Sequence, residues 1–187
     1  SYGGMATRFA MGERLREVLP PEHPGFAAFV DVYGPCFQVL GTTRANGAPL
    51  LTLRGTEDAS NELEACSRRE SELRALGVDV EAHVFEGAGH AWENDEPRAL
   101  RADAPYVTGC EMVYDERGHS SVDGVPIVNV PVATSRAERA ALRVSSGGAM
   151  QHCVRSGYVI GGDPATHARA NALLLDFLAR ALAPREG

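Results

Sequence analysis

Residues 48–92 read "APLLTLRGTEDASNELEACSRRESELRALGVDVEAHVFEGAGHAW", a strand, a helix and a second strand with a loop after each strand. The apolar run at 48–58 follows a turn at Asn46-Gly47 and ends in a polar loop. Residues 61–76 place Leu63, Cys66, Leu73 and Leu76 on one side, and Gly77 closes this helix. Val78, Val80, Ala82 and Val84 then alternate as in a half-buried strand, ahead of a glycine-rich loop. A strand, a helix and a strand in that order predict a parallel pair with a right-handed crossover, the unit of an α/β layer architecture. In such sheets chemistry collects in the loops beyond the carboxyl ends of the strands. Those two loops carry Asp58 and His90.

Outward from this unit the pattern continues. "FAAFVDVYG" (26–34) is an apolar run ending before a proline and predicts a buried strand. Met5 to Leu19 carries apolar residues at 5, 9, 11, 15, 18 and 19, a helical stripe that "PPEHPG" stops. Near the other end, Asp163 is a predicted N-cap with Pro164 at the first helical position. Ala168, Ala172, Leu175, Leu178 and Leu182 are the expected buried face of this closing helix. Between Ala99 and Gly162 the chain is rich in Gly, Ser and Val with few helical stripes, and "DERGHSSVDG" (115–124) predicts a turn or hairpin tip. A connection of that length is expected to be an insertion or lid over a site. One domain over 1–187 is expected, with a core part at 1–98, the insertion at 99–162 and the closing helix at 163–183.

Composition bounds the partners. The formal charge of -7 disfavours nucleic acid or an anionic membrane as main partner, and no apolar run approaches the roughly 20 residues of a bilayer span. Four cysteines occur without C-x-x-C spacing. Cys36 and Cys66 lie beside predicted core elements and are expected as buried free thiols. Cys110 and Cys153 flank one irregular segment, and bridging there is an open alternative. A cytoplasmic location is favoured unless that bridge forms, which would point to a secreted or periplasmic one. A zinc site from Cys110, His119, His152 and Cys153 has no familiar spacing, and adjacent ligands at 152 and 153 make joint ligation awkward. No metal and no cofactor are expected.

The chain opens "SYGG" directly before a helix. S-x-G-G is the second half of a G-x-S-x-G nucleophile elbow, in which a sharp turn between strand and helix exposes the serine. As a plain N-cap the serine would need no catalytic role. The order Ser1, Asp58, His90 adds weight. A serine hydroxyl needs a base to remove its proton, imidazole titrates near neutral pH, and a carboxylate holds the ring in the right tautomer. Glu57 is a rival to Asp58 as the acid.

With "SYGG", "RGTED" (54–58) and "FEGAGHAWEN" (85–94), the sequence resembles the dienelactone hydrolase family of the α/β-hydrolase fold. The resemblance covers residues 1–95 and the closing helix, and 100–162 poorly. It implies the C-terminal half of a mostly parallel sheet with flanking helices, Ser1 as nucleophile, Asp58 as triad acid and His90 as general base. The backbone N–H of Tyr2 would be half of the oxyanion hole, and Tyr2, Trp92 and Arg54 are candidates to line the pocket. Dienelactone hydrolases proper use a cysteine nucleophile, so serine moves the expected substrate from the lactone towards small carboxylic esters. Peptide or amide hydrolysis, or acyl transfer, on the same triad is the alternative, and a non-catalytic binding protein on this fold a further one. The strands ahead of the elbow are expected on an N-terminal segment of the same protein, present as another chain or outside the given sequence. Self-processing before Ser1 by an N→O acyl shift is a further expectation. A homo-oligomer stays open.

Overall fold

The computed structural model describes residues 2–13, 19–20, 22–23, 25–115, 119–127 and 135–183. In chain order these form α1 (Tyr2–Met11), β1 (Phe29–Val32), β2 (Gln38–Leu40), β3 (Leu50–Gly55), α2 (Leu63–Ala75) and β4 (Val80–Phe85). They continue with β5 (Ala99–Val107), β6 (Met112–Tyr114), β7 (Ser120–Val122), β8 (Val125–Pro126), α3 (Arg136–Ala149), β9 (Val154–Ile160) and α4 (Pro164–Ala181). Ser1 and residues 14–18, the second half of the expected first helix, lie outside the described residues.

The expected parallel sheet is present in the order β1-β3-β4, both pairs parallel. β3 is buried along its whole length, and its side chains alternate between two cores. Leu51 and Leu53 join Phe85, Ala170 and Phe177 on the α4 face, while Leu50 joins Met11, Phe29, Leu73 and Val80 on the α1 and α2 face. Each fully buried large aliphatic or aromatic side chain contributes about 1.5–3 kcal/mol. This sandwich of helices around a parallel sheet holds the loops after β1, β3 and β4 at one end.

The closing helix is rotated from its expected phase. Thr166, Ala170 and Phe177 are the buried positions, whereas Leu175 is 68% and Leu182 59% exposed, and Ala168 and Ala172 also face solvent. Leu178 keeps a partly buried place against the core. The helix is apolar around much of its circumference, so periodicity left the face ambiguous and the bulk of Phe177 decides it. Asp163 caps it as expected, accepting Thr166 N–H at 3.1 Å and the Thr166 hydroxyl at 2.8 Å. These bonds hold the Asp163 carboxyl below its usual range. A carboxylate with a depressed folded-state pKa stabilises above its unfolded pKa of about 3.9, and the contribution is lost as pH falls through the folded value. Asp163→Ala is expected to cost about 1 kcal/mol at pH 7, as for other N-caps, and less in acid as pH falls through the folded-state value, read by urea denaturation at neutral and acid pH.

Residues 99–162 are more regular than the sequence suggests. β5 and β9 form a long antiparallel ribbon, and β2, β6, β7 and β8 form a second small sheet. β6 pairs antiparallel with β7, while residues 116–118 of the expected hairpin tip lie outside the described residues; a tight turn leads from β7 into β8, with Asp123 and Gly124 at φ 48° and 81°. α3 lies in this segment too, opened by a capping box between Ser135 and Glu138.

All four cysteines are paired. Cys110 is bridged to Cys153, the alternative left open by the sequence. Cys36 is bridged to Cys66, which corrects the expectation of two free thiols. The loop leaving β1 crosses the first turn of α2 and brings the two Cα atoms to 5.0 Å, within bridging reach. The two residues are buried either way, so burial in the sequence pattern could not reveal the partner.

Candidate active site

The loops after β3 and β4 are fastened to each other before any functional side chain is considered. Thr56 N–H donates to Phe85 O, Glu57 N–H to Ala88 O, and Gly87 N–H to the Thr56 hydroxyl at 2.8 Å. A Cβ on Gly55 would stand 2.2 Å from Ala88 O, so only glycine permits this approach. The two loops therefore present Asp58 and His90 side by side.

His90 Nδ1 lies 2.6 Å from Asp58 Oδ2. Asp58 is 1% exposed, and its desolvation is offset by further donors. Asn61 Nδ2 donates to Oδ2 at 2.6 Å, and Ser60 donates to Oδ1 from its N–H at 3.0 Å and its hydroxyl at 2.5 Å. With Nδ1–H donated to Asp58, Nε2 carries the lone pair of the imidazole. Glu57, the rival acid, points away and pairs with Arg98 at the surface.

The backbone of His90 is pinned by β9. His90 N–H donates to Val159 O at 2.8 Å and its carbonyl accepts Gly161 N–H at 3.0 Å. Gly89 makes room, since a Cβ there would meet Val159 O at 2.6 Å. Around the ring stand Tyr33 at 4.4 Å and Tyr158 at 5.6 Å between centroids. The Tyr33 hydroxyl bonds to Glu93, and burial first, then Glu93, push its pKa upward. Burial likewise raises that of Tyr158. Both phenols are thus neutral near pH 7. Tyr33 and Ala91 occupy left-handed backbone conformations, φ 42° and 55°, one in each loop touching His90. Such conformations are costly for non-glycine residues and cluster at functional sites.

The other sequence candidates separate. Trp92 is 3% exposed and packs edge-on against Tyr33 and Phe85, so it is core support behind the site. Arg54 is corrected from pocket residue to buried scaffold. It is 2% exposed and donates to Asp31 Oδ2 at 2.9 Å, Glu70 Oε1 at 3.3 Å, Gly34 O at 2.8 Å and Asn61 Oδ1 at 2.9 Å. Four of its five N–H donors are thus engaged within the scaffold. Tyr2 is 83% exposed at the start of α1, and Ser1 lies outside the described residues.

The start of α1 is wedged against the β1 end of the sheet. A Cβ on Gly4 would meet Asp31 Oδ1 at 1.9 Å and Gly34 Cα at 2.7 Å, whereas Gly3 has open space. Thr7 Oγ1 donates to Val30 O at 3.1 Å, and Arg8 reaches Pro35 O and Asp31. Only glycine permits this approach of α1 to the loop after β1. Gly4→Ala is expected to cost at least about 2 kcal/mol in chemical denaturation, and Gly3→Ala to stay within about 0.5 kcal/mol.

Sequence reasoning missed Ser60, Asn61, Tyr33 and Tyr158. The short polar run Asp58-Ala59-Ser60-Asn61 carried a signal, because side chains of this kind fold back on neighbouring backbone. Tyr158 carried none, since its place depends on β9 returning to the loop after β4.

A parallel sheet with flanking helices and an acid and a histidine joined across adjacent strand-end loops defines an α/β-hydrolase type of protein. The model of the dienelactone hydrolase family matches residues 5–121, and the chain belongs to that family. Asp58 and His90 fall inside the matched span, and "SYGG" (1–4) lies ahead of it. Comparison with curated proteins and with solved structures found no match.

Proposed function

We propose that this hydrolase cleaves small carboxylic esters or lactones through an acyl-enzyme on Ser1, with His90 as general base and Asp58 as the acid that orients it. The observation carrying this reading is the 2.6 Å contact between His90 Nδ1 and the buried Asp58 carboxylate. It is supported by the glycine-only contact of Gly4 with Asp31 and Gly34, which suits a helix leaving a nucleophile elbow.

In this mechanism His90 Nε2 takes the proton of the Ser1 hydroxyl as Oγ attacks the acyl carbon. Asp58 accepts the Nδ1–H throughout and stabilises the imidazolium that forms. The Tyr2 N–H donates to the oxyanion, and the imidazolium returns its proton to the leaving alkoxide. A water deprotonated by His90 then attacks the acyl carbon and frees the acid and Ser1. Tyr33 and Tyr158 flank the ring and limit its rotation. Small-molecule esters are the partners proposed, and the pairing of all four cysteines favours an oxidising compartment.

A chromogenic nitrophenyl ester tests this in the intact protein. The expected result is a burst of one equivalent of nitrophenol, with the acyl group found on Ser1 by peptide mass spectrometry. Ester turnover with the acyl group on a different side chain would overturn the assignment.

A further inference from the structure

The loop after β5 and the turn before β9 gather a second cluster of chemistry-bearing side chains, remote in role from Asp58 and His90. Among the described residues, Cys110, Asp123 and Cys153 are a group whose ligand atoms all lie within 4.8 Å of one another. His152 stands beside two of its members. Its Nε2 lies 2.9 Å from Asp123 Oδ2 and 3.3 Å from Cys153 Sγ. Residues 151–153 form a single 3-10 turn, and this turn lets the adjacent His152 and Cys153 side chains converge. Asp123 is held in place from the other side, because its backbone N–H donates to Glu111 O and its Oδ1 accepts Glu111 N–H.

We propose that Cys110, Cys153, Asp123 and His152 form a redox-gated zinc site, closed while the two cysteines are bridged and opened when the bridge is reduced. The donor set has two thiolates, one imidazole and one carboxylate, which suits Zn²⁺ over the hard cations. Zn–S bonds of about 2.3 Å and Zn–N or Zn–O bonds of about 2.0–2.1 Å give tetrahedral edges of roughly 3.3–3.8 Å. The observed 2.9 and 3.3 Å separations need to open by a few tenths of an ångström, while a side-chain rotation has to bring His152 within an edge of the rest of the group, from at least one member of which it stands beyond 4.8 Å. The sulfurs need to part to such an edge, which their Cα separation of 5.8 Å accommodates with small side-chain rotations. Cys110 and Cys153 are 6% and 2% exposed, while the Asp123 and His152 side chains reach solvent. A cavity of about 530 Å³ reaches the cluster, and its lining carries Glu62, Glu111 and Asp123 against one cation, Arg68, an acidic balance. Its carboxylates would attract a divalent cation.

The chemistry balances with a dithiol as reductant. The dithiol delivers two electrons and two protons, the S–S bond breaks to two thiols, and the reductant leaves as its own disulfide. Zn²⁺ then displaces the two thiol protons to solvent and binds the thiolates. A small-molecule disulfide reverses this by thiol–disulfide exchange: it takes up the two electrons and two protons to become a dithiol, the Cys110–Cys153 bond re-forms and Zn²⁺ is released. In both states the link between the β5 end and the start of β9 is kept.

The test uses the intact protein with cobalt and zinc as probes. After reduction and removal of the dithiol under anaerobic conditions, the protein is expected to bind one equivalent of metal at this cluster. Bound Co²⁺ should give thiolate charge-transfer and tetrahedral d–d bands, and the oxidised protein should give neither. Asp123→Asn and His152→Ala, both at exposed positions, should each weaken zinc binding by about ten-fold or more. The double substitution of Cys36 and Cys66 by serine should leave the bands in place. Absence of the bands from reduced protein, or bands that survive in a Cys110→Ser, Cys153→Ser variant, overturns the proposal.

Discussion

Replacing His90 by alanine is expected to lower kcat/KM for a small ester by about 10³-fold or more, with little change in the thermal midpoint. His90 sits at a loop end where its side chain packs between two tyrosine rings, and its backbone bonds to Val159 and Gly161 do not depend on the imidazole. The sharper variant is Asp58→Asn. It keeps the shape of the buried site, but the amide no longer accepts the Nδ1 proton as a carboxylate does. The ring is then free to present the wrong nitrogen to the nucleophile, and a loss near 10⁴-fold is expected. Ser60→Ala removes one of several donors to Asp58 and is expected to cost much less, on the order of ten-fold. Steady-state kinetics with a nitrophenyl ester, alongside circular dichroism of each variant, separates these effects from unfolding. Equal loss in all three would contradict the assigned roles.

The largest effect on stability is expected at Arg54. Asp31, Glu70 and Arg54 are buried together beneath α1 and α2, with Arg8 at 3.6 Å from Asp31. Two carboxylates and two guanidiniums leave the group neutral. Burial outweighs the attraction of Asp31 at Arg8, whose pKa falls to about 10, still protonated at neutral pH. Arg54→Met removes one cation and leaves two buried carboxylates facing the single guanidinium of Arg8. Such a loss costs about 3–5 kcal/mol, which for a chain of this size lowers Tm by roughly 6–20 °C. Combining Arg54→Met with Glu70→Gln should recover part of that loss, because Asp31 then still faces Arg8 and the group is neutral again. Since Arg54 also holds Asn61, and Asn61 holds Asp58, the single variant is expected to lose esterase activity at temperatures where it is still folded.

What the sequence made legible was the part of the fold built from local pattern. The strand–helix–strand unit at 48–92 and the order of acid and histidine rest on neighbouring residues, and β3, α2 and β4 stand close to where periodicity places them. The contact between Asp58 and His90 follows from that topology, because adjacent parallel strands bring their following loops together. Nonlocal pairings were out of reach. β2 and β6 are three residues each and pair across more than seventy positions, which no short pattern encodes. Cys36 and Cys66 are linked over thirty residues by the path of a loop. Arg54 read as a candidate substrate contact because it stands beside the acid loop, and its buried partners Asp31 on β1 and Glu70 on α2 are nonlocal. For α3 the signal was present in Ser135 and Glu138, ahead of a stretch whose composition suggested irregular structure.

The most direct test is covalent labelling of the intact protein with a fluorophosphonate, followed by peptide mapping. A single adduct on Ser1, formed at a rate that falls sharply in His90→Ala and Asp58→Asn, is the predicted result. Labelling that is absent, or that proceeds equally fast without His90, would contradict a serine nucleophile served by the Asp58–His90 pair.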